Sequence, residues 1–145
     1  MALEEQTLSI AADPPYGAAV VVHRRRNGWN EFLMLHRADG TGEWTWEPPS
    51  GLRYSDETVS DCAQRQLIEE AGLDLACVPT EQIPGRWPYY LAQAPLGAEV
   101  RLSDEHDRFV WVPLGVAVRL CSPSHVANAV ERVGRLAVCG GPGAA

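Results

Sequence analysis

The sequence predicts a layered α/β domain in which helices pack against a mixed β-sheet. Two apolar, β-branched segments at residues 17–23 and 31–37 have strand length, and the polar turn at 24–30 joins them as an antiparallel hairpin. An amphipathic helix follows, and a second amphipathic helix spans residues 124–138. The strands and helices do not alternate strictly enough for a doubly wound parallel fold.

The remaining elements follow from local composition. Residues 38–51 are rich in Gly, Pro and Trp and predict a loop, while residues 86–93, 99–102 and 109–112 predict further strands. In the first helix, Asp56 or Thr58 is the predicted N-cap and Ala71-Gly72 the predicted end. Its predicted buried stripe is Val59, Cys62, Ala63 and Leu67, and that of the second helix is Val126, Val130, Val133 and Ala137.

Length and charge limit the class of protein. With 145 residues, a net charge of −7 and a pI near 5.0, the chain predicts one domain over residues 16–138, between a flexible lead-in at 1–15 and a flexible tail at 139–145. The acidic balance argues against a nucleic-acid polymer as partner. Four widely spaced cysteines favour free thiols, and neither a signal peptide nor a membrane span is predicted, so we expect a cytoplasmic protein.

The first predicted helix carries an unusual polar face. Gln66, Glu69 and Glu70 share it, with Arg65 one turn before Glu69 and Glu57 about two turns before Arg65. A solvated acidic surface is the simplest interpretation. The alternative is a magnesium site, because Mg²⁺ is usually held by one or two carboxylates together with substrate phosphates and water.

The context of this face favours the second interpretation. Residues 51–73 read GLRYSDETVSDCAQRQLIEEAGL, which resembles the Nudix box, G-x5-E-x7-R-E-U-x-E-E-x-G-U with U apolar. Every spacing matches, and the only defined position that departs is Gln66, where the family has glutamate. The resemblance covers roughly residues 16–138 and implies the family's α/β/α sandwich with a mixed sheet.

The resemblance also implies a reaction and roles for residues. It implies Mg²⁺-dependent hydrolysis, with Mn²⁺ as the alternative ion, of a diphosphate bond in a small nucleoside diphosphate-linked molecule. Glu69 and Glu70 would hold metal, with a further ligand from the Ser50 carbonyl. Glu57 and Arg65 would form an orienting ion pair, Gly51 would permit close approach of loop and helix, and Gly72 would end the helix. Dimers are frequent in such a family, so a homodimer is compatible with the sequence.

A second match lies downstream of the box. Residues 102–111, LSDEHDRFVW, are similar to the S-x-E-H-x-x-x-x-W stretch of some Nudix enzymes, which include hydrolases of dinucleoside polyphosphates and of nucleoside or pterin triphosphates. By this similarity Glu105 is the candidate catalytic base and a further metal ligand, with Asp104 and Asp107 as rivals. The alternative is a polar turn in which His106 is a local hydrogen-bonding partner.

Gln66 leaves three interpretations open. The chain is an active hydrolase whose base lies elsewhere, with Glu105 the best candidate and Glu69, Arg65 and Gln66 completing the catalytic set. Alternatively, it is a weak or inactive hydrolase that binds a nucleotide or diphosphate ligand, or Gln66 was introduced to trap a substrate complex. An amide can offer a carbonyl oxygen to a metal but cannot accept a proton from water, so loss of a base here would cost about 10²- to 10⁴-fold in rate.

The substrate-binding residues are the least constrained. Trp46 and Tyr89 are candidates for stacking on a planar group, and Arg37 for contacting phosphate; Trp44, Trp87 and Tyr90 share the stacking interpretation, with core packing as the alternative. Trp111 is predicted to be core, and the arginines at 24–26 to lie in a solvated turn. No lysine precedes Gly51, which weakens the interpretation as a dinucleoside-polyphosphate hydrolase.

Overall fold

The structure is a computed structural model that describes residues 9–39, 46–80 and 83–139. Residues 1–8 of the predicted lead-in at 1–15, residues 140–145 of the predicted tail at 139–145, and Trp44 lie outside the described residues. The elements in chain order are β1 (Gly17–Arg26), β2 (Trp29–Arg37), β3 (Trp46–Glu47), β4 (Ser50–Leu52), α1 (Val59–Ala71), β5 (Val78–Pro79), β6 (Tyr89–Gln93), β7 (His106–Val112), α2 (Leu114–Leu120) and α3 (Ser124–Cys139).

The strands form one mixed sheet, which confirms the predicted fold class. Its order is β3-β2-β1-β6-β5, with β4 also pairing with β1 and β7 with β2. The β1–β6 pair is parallel and the others are antiparallel. β4 pairs with the start of β1, whereas β3 and the start of β7 pair with the end of β2. These short strands therefore meet at one end of the sheet.

Helices cover both faces of this sheet, because alternate residues of β1 and β2 point to opposite sides. Val20, Val22 and Leu33 pack with the buried side of α1. Val21 and Phe32 pack on the other face against α2 and α3. The predicted stripes of both long helices are confirmed. Cys62, Ala63 and Leu67 belong to the first cluster with Val59 packed against it, and Val130 and Val133 belong to the second with Val126 and Ala137 packed against it.

Helix α1 begins and ends as the sequence predicts. Thr58, rather than Asp56, is the N-cap, and its side chain accepts a hydrogen bond from the Asp61 amide at 3.0 Å. Gly72 ends the helix with φ 69°, in the left-handed region that favours glycine. A Cβ at this position would also lie 2.8 Å from the Arg101 Cβ, so the segment that crosses the helix end requires glycine.

Several predicted elements are wrong in detail. Residues 99–102 form no strand, because the Arg101 amide donates to the Ala71 carbonyl at 2.8 Å and the segment crosses the end of α1. The last strand begins at His106 rather than at residue 109, since it pairs with β2 as far as Arg37. The predicted loop at 38–51 contains β3 and β4, and α2 is a short helix that the sequence did not indicate.

The three consecutive arginines lie in a strand and not in a turn. Arg24, Arg25 and Arg26 extend β1, and the turn is confined to Asn27 and Gly28, whose φ angles are 52° and 85°. Arg24 is held by Glu31 at 2.8 Å and lies 4.3 Å from the Trp111 ring centroid. Trp111 itself packs against the core, as predicted.

Arg53 ties the start of the described chain to the domain. This buried guanidinium donates to the carbonyls of Pro15, Asp13 and Glu57, and the Ala11 amide donates to the Arg53 carbonyl. Among the described residues, no helix combines the length and apolar character that crossing a membrane requires.

Candidate active site

Strand β4 lies directly against one face of α1. A Cβ on Gly51 would come within 2.2 Å of Gln66 Nε2, so only glycine leaves room for this buried amide. Gln66 Nε2 donates to the Leu52 carbonyl at 3.3 Å. The structure therefore directs Gln66 at the backbone of β4, and Gly51 permits the close approach that the resemblance implies.

Arg65 joins the start of α1, its last turn and β4. Its guanidinium bonds both oxygens of Glu57, with Nε–Oε2 at 2.9 Å and Nη2–Oε1 at 2.7 Å, and donates to the Leu52 carbonyl at 2.9 Å. It also bonds Glu69 Oε1 at 3.1 Å and lies 4.0 Å from the Tyr54 ring centroid. The hydrogen bond from Arg65 lowers the pKa of Glu57, and the same bond raises the pKa of Arg65. The implied Glu57–Arg65 pair is thus present and largely buried.

Removing this arginine should destabilise the fold. We expect Arg65→Ala to lower the free energy of unfolding by about 2–4 kcal/mol, because the largely buried Glu57 carboxylate would lose its charged, bidentate partner. Urea unfolding at pH 7 measures the change. Arg135→Ala is the matched control: Arg135 pairs with Glu131 at 2.7 Å on the exposed side of α3, and exposed pairs contribute about 0–1 kcal/mol. Equal losses in both variants would contradict a structural role specific to Arg65.

Glu70 is buried, whereas the neighbouring Glu69 is exposed. Glu70 is 5% exposed, and its Oε1 accepts a hydrogen bond from the Ser50 amide at 3.0 Å. Burial, together with the nearby carboxylates of Glu105 and Glu47, raises the pKa of Glu70 to about 8 despite the lowering effect of the Ser50 amide. Glu69 has a side chain that is 55% exposed and held by Arg65. The two adjacent glutamates therefore face different surroundings.

Glu47 and His106 are site residues that the sequence did not single out for a role in chemistry. His106 Nε2 lies 2.9 Å from Glu47 Oε2, and the histidine is 4% exposed. Arg37 Nη1 approaches the other Glu47 oxygen at 3.7 Å. His106 is indeed a hydrogen-bonding partner, although of a residue 59 positions away rather than a local one. Only strand pairing of β3 and β7 with β2 brings the two segments together.

Asp107, a rival to Glu105, is engaged elsewhere. Its Oδ1 lies 2.7 Å from His36 Nδ1, while Arg108 Nη2 donates to His36 Nε2 at 3.1 Å. Because Nε2 accepts, the proton of a neutral ring is on Nδ1 and is donated to Asp107. This bond lowers the pKa of Asp107. Asp107 therefore stabilises the pairing of β2 with β7.

A cavity of about 1010 Å³ opens at the end of the sheet where these strands meet. It brings together five of the predicted site residues, namely Glu70, Ser50, Glu105, Arg37 and Tyr89, with Gly51 in its wall. Glu69, Arg65, Gln66 and Trp46 do not line it. Trp46 instead packs edge-on to His36, with ring centroids 4.9 Å apart. The cavity lies at the upper end of the size range of small-molecule sites.

The carboxylates of the cavity suit a hard cation by their chemistry. Burial and, to a lesser extent, repulsion from Glu105 and Glu47 raise the pKa of Glu70, and a divalent ion would stabilise its charged form against both effects. In the described part of the chain, no three His, Cys, Asp or Glu side chains already form a ligand set. Mg²⁺ does not require one, because it is commonly bound by one or two carboxylates with waters and substrate phosphates. Glu70 and Glu105 would be those carboxylates.

The fold and the site define an α/β domain in which a carboxylate-lined cavity lies next to helix α1 and the Gly51-containing strand β4. The NUDIX domain model matches residues 13–132, and the chain belongs to the NUDIX family. Two similar proteins are bis(5'-nucleosyl)-tetraphosphatases [asymmetrical]: that of Sus scrofa is 33% identical over 70% of this chain and 80% of its own, and that of Mus musculus is 29% identical over 69% and 76%.

Solved structures agree with the fold. A C. elegans Ap4A hydrolase binary complex has a TM-score of 0.71 at 24% identity, covering 86% of this chain and 97% of the other. The E. coli dihydroneopterin triphosphate pyrophosphohydrolase has a TM-score of 0.68 at 19% identity, covering 84% and 96%. At these identities the likeness concerns the fold alone.

Proposed function

We propose that the protein hydrolyses a diphosphate bond in a nucleoside diphosphate-linked small molecule, with Mg²⁺ as the cofactor. The observation that carries this proposal is the buried carboxylate of Glu70, held by the Ser50 amide at 3.0 Å in a cavity that also contains Glu47 and Glu105. Such a concentration of negative charge binds cations, and polyphosphates are the substrates that require them.

The predicted site residues that line the cavity have separate parts in this scheme. Glu70 is the proposed principal metal ligand, with Glu105 and the Ser50 carbonyl as additional oxygen donors. When bound, the ion neutralises phosphate charge and makes an attacking water more acidic. Glu105 is the proposed base, because it is exposed at the cavity mouth and can accept a proton from that water. Arg37 is placed to bind a phosphate oxygen, and Tyr89 forms part of the wall against the organic group.

Glu69 receives a different role from the one that the resemblance implies. Its carboxylate is bonded to Arg65 outside the cavity, so we assign it to positioning Arg65 and, through it, the β4 segment that carries Ser50. Residues that orient the ligands of a metal commonly matter nearly as much as the ligands themselves.

The relatives guide the choice of substrates to test. Proteins named bis(5'-nucleosyl)-tetraphosphatase make dinucleoside polyphosphates the first choice, and the dihydroneopterin triphosphate enzyme adds triphosphates. The test is a turnover screen with Mg²⁺ and Mn²⁺ over both classes, nucleotide sugars and ADP-ribose, with release of phosphate or nucleoside monophosphate as the readout. A folded protein that turns over none of them would refute the proposal.

A second candidate function is ligand binding without hydrolysis. It is favoured by Gln66, which stands where the family has glutamate and whose amide donates to the Leu52 carbonyl instead of facing the cavity. A non-catalytic domain would show thermal stabilisation by nucleotides in the absence of turnover.

Gln66→Glu separates the two candidates. We expect this variant to lose about 1–3 kcal/mol in the free energy of unfolding at pH 7, because a buried carboxylate cannot donate to the Leu52 carbonyl and would instead place an acceptor oxygen against it. If the protein is a hydrolase with its base at Glu105, turnover should not rise. Appearance of turnover only in the variant would instead support the binding module.

The control is Gln64→Glu on the exposed side of the same helix, where Gln64 Nε2 donates to Asp74 Oδ1 at 2.9 Å. This surface change should cost no more than about 0.5–1 kcal/mol. Equal destabilisation by the two substitutions would contradict the role assigned to the Gln66 amide.

A further inference from the structure

One face of α3 forms a wall of the cavity. His125, Asn128, Ala129 and Arg132 all line it. They are spaced by three, one and three residues, so they form a single stripe on the helix. The neighbouring stripe, which includes Val130 and Val133, is buried against the sheet. The polar stripe is therefore turned to the cavity by the same packing that fixes the helix.

This wall belongs to a different layer from the carboxylates. Helix α1, which carries Glu70, packs on one face of the sheet, and α3 packs on the other. The cavity is continuous around the end of the sheet and has both helices in its lining. A ligand that fills it must contact the acidic side at Glu70 and the α3 side together.

Tyr89 lies between the two sides. Burial raises the pKa of Tyr89 to about 12, Cys121 and Glu47 also raise it, and Arg132 lowers it. The phenol is thus within electrostatic reach of Glu47 on the carboxylate side and of Arg132 on α3. Glu47, Tyr89 and Arg132 line the same cavity of about 1010 Å³, which is large enough for a ligand of nucleotide size.

The chemistry of the two walls is complementary. The carboxylates require a cation before they can accept a phosphate, whereas the α3 wall already presents a guanidinium at Arg132, an amide at Asn128 and an imidazole at His125. Hydrogen-bond donors and a fixed positive charge suit an anionic or oxygen-rich group without a metal. The cavity therefore offers two binding regions of opposite polarity.

We propose that the stripe of His125, Asn128 and Arg132 on α3 is a specificity-determining subsite, which binds the end of the polyphosphate substrate that is remote from the reacting phosphate. Arg132 binds a phosphate oxygen beyond the scissile bond, and Asn128 and His125 bind the group attached to it. The inference takes its ligand class from the proposed function. It assigns the selection among diphosphate substrates to residues of α3 rather than to those of α1.

Binding measured without turnover tests this proposal. The probes are a methylene-bridged, non-hydrolysable bis(5'-nucleosyl) tetraphosphate and the corresponding nucleoside monophosphate, titrated by calorimetry with Mg²⁺ into wild type, Arg132→Gln and Arg135→Gln. Hydrogen bonds to charged groups predict a Kd for the tetraphosphate about 10- to 100-fold higher in Arg132→Gln. The Kd of the monophosphate should change less than threefold, because it is too short to reach both walls. Arg135→Gln is the control, because Arg135 lies on the exposed side of the same helix.

A second variant covers the chance that Arg132→Gln fails to fold. His125→Ala/Asn128→Ala changes only exposed positions of the stripe, so it should melt within a few degrees of wild type and still raise the Kd of the tetraphosphate. Unchanged tetraphosphate affinity in the folded variants would overturn the inference, as would absence of tetraphosphate binding to wild type. Failure of the proposed function is recognised separately, by binding of the probe without turnover of its hydrolysable form.

Discussion

Glu70→Gln should lower kcat by about 10²- to 10⁴-fold while the protein remains folded. The carboxylate is the most buried acid of the cavity, and the Ser50 amide fixes its orientation at 3.0 Å. Loss of an electrostatic contribution of several kcal/mol to a phosphoryl-transfer transition state corresponds to this range, at 1.36 kcal/mol for each factor of ten. Glutamine retains the shape and can still accept from Ser50, so the loss reports charge rather than packing.

Glu69→Gln is the control for this prediction. Glu69 is the neighbouring acid of the same box, but its exposed side chain bonds Arg65 at 3.1 Å instead of lining the cavity. We expect its effect on kcat to be about 10- to 100-fold, the range for a residue that orients a metal ligand, and so smaller than that of Glu70→Gln. Steady-state kinetics at saturating Mg²⁺ distinguishes the two variants. Equal losses would show that both acids act at the reaction centre and would contradict the division drawn from their surroundings.

The second large effect is a fall in stability between acidic and mildly alkaline pH in the absence of metal. The pKa of Glu70 is raised to about 8 in the folded protein, whereas an unfolded glutamate titrates near 4.5. Between these values the folded state holds a proton that the unfolded state has released. Stability must therefore decrease as pH rises through this window, by roughly 1 kcal/mol per pH unit, and level off above about pH 8.

Summed from pH 5 to pH 8, the loss amounts to about 3–4 kcal/mol, a substantial part of the 5–15 kcal/mol typical of a domain. Urea unfolding in EDTA across this range measures it. Glu70→Gln cannot ionise, so the free energy of unfolding of this variant relative to wild type should grow with pH. Magnesium at pH 8 should restore more stability to wild type than to Glu70→Gln. Parallel pH curves for the two proteins would refute the raised pKa.

Several features could be read from the sequence because they are local. A helix places residues three and four apart on one side, so the polar face of α1, its Thr58 cap and its Gly72 end follow from spacing alone. The Glu57–Arg65 pair spans only two turns of chain and is present at 2.7 Å. The hairpin of β1 and β2 followed from two apolar segments around a glycine turn, although the strand extends further into the arginines than composition indicated.

Other features could not be predicted, because amino-acid composition does not specify which strands pair. Residues 99–102 have the composition of a strand, but the Arg101 amide donates a hydrogen bond to the Ala71 carbonyl at the end of α1. Helix α2 is too short for its periodicity to be distinguished from an apolar loop. The different surroundings of Glu69 and Glu70 could not be predicted either. The two glutamates are adjacent in one helix, and only the structure shows that Glu70 lines the cavity whereas Glu69 bonds Arg65 outside it.

The sequence by itself determined the NUDIX family, the mixed α/β fold and the helix that carries Glu70, because those signals lie in one short stretch with fixed spacing. Only the tertiary structure decided what surrounds that helix. Strand pairing brings Glu47 to His106 across 59 residues, and packing on the opposite face of the sheet turns Arg132 and Asn128 into the same cavity. These contacts depend on which strands pair and which helix faces pack, and no local pattern of residues encodes either.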